Sequence, residues 1–214
     1  MTQAPPPADM KLQRSSRDPD DVRHRLTAWL TSVLPEGADP EVVLHSGVDS
    51  NGMSSEAFLF DATWSADGER RTEEFVARAA PAAHDVPVFP HYAIEHQYDV
   101  LRIVGELTDV PVPPVRWLEG SGEVLGTPFF VMERVEGIVP PDVLPYTFGG
   151  NWLHDADPAD QLRLQQSTVE AIAALHAIGD AEQTFAFLVT QEDGETLLHR
   201  LLAKITAWYE FAVP

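Results

Sequence analysis

The stretch Asp49-Ser50-Asn51-Gly52-Met53-Ser54-Ser55 sets one glycine among three serine hydroxyls and an amide side chain. Glycine lets a backbone approach a ligand closely, and serine hydroxyls can donate to anionic oxygens, so such a turn could cradle a phosphate. An ordinary hairpin turn has the same make-up. Cations that could serve such a turn are few. Of 14 basic residues only two are lysines, Lys11 and Lys204, near opposite ends of the chain. Arg78, in Phe75-Val76-Ala77-Arg78, stands at the end of an apolar run, where a plain surface arginine is the competing reading.

Most other chemistries find no support. With no cysteine the chain has no disulfide, thiolate zinc site or cysteine nucleophile. His91 and His96 lie five apart, a poor fit to one helical face, and the eight histidines give no metal signature. There is no G-x-S-x-G, Walker A or Rossmann glycine pattern. Asp155-Ala156-Asp157 is spelled like a metal-binding D-x-D but precedes a helical pattern, so helix capping is its expected role.

The formal net charge is −20, from 34 acidic residues against the 14 basic ones. Such a surface repels phosphate backbones and anionic lipid, which argues against nucleic-acid and membrane partners. It would suit a cationic ligand, although solubility alone accounts for it. No apolar run approaches the ~20 residues of a membrane helix. Met1 to Pro7 lacks the regions of a signal peptide, so the expected compartment is the cytoplasm.

Elements must position these groups. Residues 1–17 read as a disordered polar tail, and Asp18-Pro19-Asp20-Asp21 as the start of a helix within 18–37, with Val22, Leu26, Trp29, Leu30 and Val33 on one face. Val42–His45, Ala57–Trp64 and Glu74–Ala80 read as an antiparallel meander with an Asp67-Gly68 hairpin turn. Phe58, Phe60, Phe75 and Val76 are its candidate core. Ile94, Tyr98, Leu101, Val104 and Leu107 trace a second helix, broken by Val110-Pro111-Val112-Pro113-Pro114. Val115–Leu118 and Thr127–Val135 predict two more strands. Asp157-Pro158 opens a further helix. Leu197, Leu198, Leu201, Leu202, Ile205, Trp208 and Tyr209 predict a strongly apolar last one, a surface open to self-association.

This order, with the block Gly126-Thr127-Pro128-Phe129-Phe130-Val131-Met132-Glu133-Arg134-Val135-Glu136-Gly137, the Val110–Pro114 segment and the turn at 50–55, resembles the aminoglycoside phosphotransferase and choline-kinase-like family. It is most similar to the acyl-CoA-dehydrogenase-associated, actinobacterial type, over roughly residues 40–180. The resemblance implies an α+β protein: a kinase-like N-terminal lobe over 38–135, with a five-stranded antiparallel sheet and a helix, then the first helices of an incomplete helical lobe over 136–214. It also implies ATP and Mg2+ between lobes, with phosphoryl transfer to a hydroxyl of a small-molecule acceptor.

Carried over position by position, the resemblance makes Ser50, Asn51, Gly52, Met53, Ser54 and Ser55 a phosphate-covering loop. Arg78 takes the place of the third-strand lysine, and either Glu95 or Gln97 becomes its partner on the following helix. Met132 lines the adenine pocket, and the backbones of Glu133 and Val135 bond the adenine edge. The aromatic stretch from Pro140 to Trp152 could shield an acceptor. The family's catalytic H-G-D-x4-N is absent from the sequence, so the Mg2+ ligands are expected in a missing C-terminal region and the chain alone is expected to be inactive. A non-catalytic nucleotide- or partner-binding module is the alternative, and an acidic scaffold without a nucleotide site a third reading.

Overall fold

The computed structural model describes residues 16–45, 55–82, 85, 89–139, 147–189 and 193–213. Helix α1 (Pro19–Val33) begins where the sequence places it. The Asp18 carboxylate accepts from the Asp20 amide at 3.0 Å, and Pro19 occupies a position where a missing N–H costs nothing. Val22, Leu26, Trp29 and Leu30 form its buried stripe, while Val33 ends up exposed.

Five strands follow: β1 (Glu41–Leu44), β2 (Glu56–Ala66), β3 (Glu69–Ala79), β4 (Val115–Glu119) and β5 (Phe129–Glu133). They form one sheet in the order β1-β2-β3-β5-β4, with every pairing antiparallel. Asp67 and Gly68 close the β2–β3 hairpin with φ of 55° and 83°, the left-handed values that a two-residue hairpin turn matched to strand twist requires. β3 starts five residues earlier than its apolar pattern indicates, because Glu69–Glu73 pair with Ala62–Ala66 despite their charge. β5 is shorter than the expected 127–135.

Alternation along the strands divides the sheet into two faces. Phe60, Ala62, Trp64, Phe75, Ala77, Phe129 and Val131 face α1 and form the larger core. There the Trp29 ring meets Phe129 edge-on at 4.8 Å, and Phe75 meets Trp117 at 5.4 Å. Helix α2 (Ile94–Leu107) covers part of the second face, where Ile94 and Phe130 pack with Tyr98, Leu101, Val115 and Met132. Phe75 and Val76, both expected in one core, therefore point to opposite sides.

After β5 come α3 (Trp152–Asp155), α4 (Pro158–His176), α5 (Ala181–Thr184), a single 3-10 turn (Ala186–Leu188) and α6 (Leu197–Ala212). Asn151 caps α3, its side-chain oxygen accepting from the Leu153 and His154 amides. Asp157 stands at the N-cap of α4, but its side chain makes no capping bond. No residue of α4, α5 or α6 is buried. The result is the expected α+β architecture. Among the described residues no helix is long and apolar enough to cross a membrane.

Candidate functional site

The register places three rows of side chains on the α2 face of the sheet. Residues directly opposite in an antiparallel ladder share a face, and successive rows lie about 7 Å apart along the strand. The first row is Ala57, Arg78 and Phe130; the second is Leu59, Val76 and Met132. Asp61 and Glu74 pair in the third, where the Arg134 amide donates to the Glu74 carbonyl at 3.0 Å. One end of this surface is thus cationic, its middle apolar, and its far end is the strand exit toward the helices. Leu59, Val76 and Met132 stay half-buried, so the α2 cluster that Met132 joins covers this stretch only in part.

Arg78 is the chemically unsettled group on this face, and elsewhere His45 Nε2 and Arg200 Nε are likewise buried without a hydrogen-bond partner. The Arg78 Nε is buried and has no hydrogen-bond partner, and among the described residues the side chain makes no ion pair. A buried donor left unmade costs about 1–3 kcal/mol, so a native protein that keeps one needs a reason. Neither expected partner supplies an acceptor. Glu95 instead lies along the β4 exit, where its Oε1 is 3.5 Å from the point a Cβ on Gly120 would occupy. Gln97, half-buried on α2, makes no hydrogen bond to Arg78.

The strand exit is held firmly. Arg134 Nη2 pairs with Glu74 at 2.6 Å, Nη1 with Asp61 at 3.4 Å and Nε with Glu136 at 3.1 Å, and the side chain is only 17% exposed. Desolvation opposes its charge, but the Glu74 hydrogen bond and the three carboxylates outweigh this and raise its pKa. His45 Nε2, just past β1, lies 2.9 Å from the same Asp61 without making a hydrogen bond, so it is β2 and β3 that the network ties to the exit. Glu133, just before Arg134, pairs through its carboxylate with Arg116 at 2.7 Å. The Val135 amide, just after it, has no hydrogen bond among the described residues. Backbone polar groups on either side of Arg134 therefore stand on an anchored edge. The sequence names Glu133 and Val135, but not the anchor between them.

Ser55 is described at the root of β2, whereas Ser50, Asn51, Gly52, Met53 and Ser54 lie outside the described residues, as do Pro140–Tyr146 of the aromatic stretch. Phe148 is exposed, and the Trp152 indole donates to the Val139 carbonyl at 3.1 Å. Asp155 bonds its neighbour His154, and among the described residues no three His, Asp or Glu side chains gather as a metal site.

A five-stranded antiparallel sheet with α1 on one face and α2 over part of the other has the architecture of a kinase-like N-terminal lobe. The comparisons identify the family. Residues 55–209 match the model of the phosphotransferase enzyme family, and the chain belongs to that family. It is 28% identical over 167 residues to the "Probable acyl-CoA dehydrogenase IBR3" of Arabidopsis thaliana, covering 78% of this chain and 18% of that protein. Its fold is similar, with a TM-score of 0.52 and 23% identity, to the crystal structure of a "putative aminoglycoside phosphotransferase" from Ralstonia eutropha JMP134, covering 88% of this chain and 47% of that one. The chain thus spans less than half the length of either relative.

Proposed function

We propose that this chain is the nucleotide-binding part of an ATP-dependent phosphotransferase that acts on a hydroxyl of a small molecule. The observation that carries this reading is Arg78, a half-buried arginine whose Nε is buried and unsatisfied at the end of an apolar surface. A nucleotide would complete the surface: its phosphates would satisfy Arg78, its base would lie against Leu59, Val76 and Met132, and its edge would bond the backbone beside Arg134. Arginine suits the first task because its planar fork matches phosphate oxygens. Ser55, with the residues at 50–54, would serve the same phosphates.

Bound Mg2+ would neutralise phosphate charge and hold the nucleotide for transfer. Among the described residues no ligand set for the ion gathers, and the phosphates themselves would supply oxygens to it. The sequence has no H-G-D, which leaves the acceptor hydroxyl without its positioning aspartate. We therefore expect binding without turnover. The second reading is a kinase-like module that binds nucleotide without catalysing transfer.

Calorimetric titration of the chain with MgATP, ADP and adenosine tests the site. The expected order is MgATP tightest and adenosine weakest but measurable. A folded chain that shows no saturable binding of any of the three at millimolar ligand would overturn the proposal.

A further inference from the structure

Arg17, which the sequence groups with the polar tail, has a largely buried side chain at one end of the sheet. Its Nη1 forms an ion pair with the Glu56 carboxylate, and the two side chains are 9% and 4% exposed. Nη2 donates to Thr127 Oγ1 at 2.6 Å and to the Ala80 carbonyl at 3.3 Å, and Nη1 reaches that carbonyl at 3.4 Å. Thr127 Oγ1 donates to the same carbonyl at 3.0 Å, while a Glu56 oxygen accepts from the Ala82 amide at 3.3 Å. One guanidinium therefore ties the segment before α1 to the root of β2, the end of β3 and the approach to β5.

The position of this knot gives it a role. Glu56 pairs with Ala79, and Ala57 with Arg78, so the grip lies one and two residues beyond Arg78 on the same strand. Glu56 is on the α1 face and Arg78 on the other. A strand end is where a ladder frays, and an arginine there would sample many placements. We infer that Arg17 is a positioning residue: with Glu56 it clamps the end of β3 from behind and fixes where Arg78 meets an anionic ligand. This inference rests on the proposed nucleotide site.

Buried ion pairs add little net stability, because desolvation offsets their attraction, and apolar side chains of similar size often serve as well. What apolar side chains cannot reproduce is the fork geometry that fixes three acceptors at once. The opposite charges largely offset each other at a distance, so the pair acts on Arg78 through geometry more than through its field. Stability and positioning can therefore be separated experimentally.

The test uses Arg17→Met combined with Glu56→Leu, and Arg17→Lys alone, in the full 214-residue chain, with MgATP and adenosine titrated into each. Positioning predicts that the double variant keeps its melting temperature within a few degrees, loses about tenfold in MgATP affinity and binds adenosine unchanged. Arg17→Lys, which keeps the charge without the fork, should show a smaller loss of the same kind. If the double variant does not fold, the lysine variant carries the test alone. Wild-type MgATP affinity in the variants, or equal losses for MgATP and adenosine, overturns the inference and leaves the nucleotide site standing. A wild-type chain that binds neither ligand overturns the site, and the inference with it.

Discussion

Arg78 and Phe130 face each other across the β3–β5 ladder, and the arginine's Nε is buried there without an acceptor. An apolar residue would suit that position better in the unliganded chain. Arg78→Met is accordingly expected to match or exceed wild-type stability, by up to about 1 kcal/mol, while MgATP affinity falls at least about tenfold. Thermal melts without ligand, set beside titrations, check both halves. A marked loss of stability would show that Arg78 has a structural partner.

Arg134 separates like charges. Asp61 and Glu74 are directly opposite in the β2–β3 ladder, and the guanidinium bonds both. Arg134→Ala leaves two carboxylates repelling across strands, and a loss of about 1–2 kcal/mol is expected. Adding Asp61→Asn should recover part of it in a double-mutant cycle. The pKa of Arg134 is raised by folding, so its contribution is complete below the unfolded value and is lost only as pH rises through the folded one. Both lie above the ordinary working range. Urea melts at about pH 7 and pH 10 should thus show the same penalty for removing it.

Trp29 joins α1 to the sheet through Phe129 and Trp117. Trp29→Ala is expected to cost about 3–5 kcal/mol, as for other large buried aromatics. Denaturant unfolding measures it. A cost under 1 kcal/mol would mean that α1 is a dispensable addition.

Gly122 has φ of +74°, and a Cβ there would sit 3.3 Å from the Thr127 backbone and the Pro128 ring. Its amide donates to the Glu119 carboxylate at 3.1 Å, which holds the turn after β4. Gly122→Ala should cost about 1–3 kcal/mol through backbone strain and crowding together. A melting temperature equal to wild type would refute this.

Leu198, Leu201, Leu202 and Ile205 of α6 are all exposed. Leu198→Lys with Leu202→Glu should therefore leave the melting temperature unchanged while reducing concentration-dependent association of the chain. Sedimentation across a range of concentrations reads the second effect directly. A destabilised variant would show that these leucines are packed in solution.

The fold was legible where burial leaves a periodic trace. Leu26 and Trp29 mark a helical face, Phe58 and Phe60 a strand, and Asp67-Gly68 the turn joining two strands. Glu69–Glu73 escaped because a strand can be specified by its partner, and pairing to Ala62–Ala66 overrides a charged composition. Arg17 and Glu56 escaped for a related reason. Separated by 39 residues, they read as surface charges until folding brings them together. Arg134 belongs to the same class, since its contact with Asp61 crosses 73 positions. Arg78 was found through its place in a strand order; periodicity could not show that its Nε lacks an acceptor. The choice between Glu95 and Gln97 stayed open in the sequence, and the structure bonds neither to Arg78.

The β2–β3 hairpin has a kinetic consequence. Its two eleven-residue strands meet through a two-residue turn, whereas β3 reaches β5 only after roughly fifty intervening residues that include α2. Closing the short connection loses far less chain entropy than closing the long one. The hairpin should therefore form early, with α2 and β5 docking on a template already present. Conservative substitutions at Phe60 would then slow refolding, while those at Val131 would chiefly speed unfolding. On that order of events, the strand that carries Arg78 is in place before the face it serves exists.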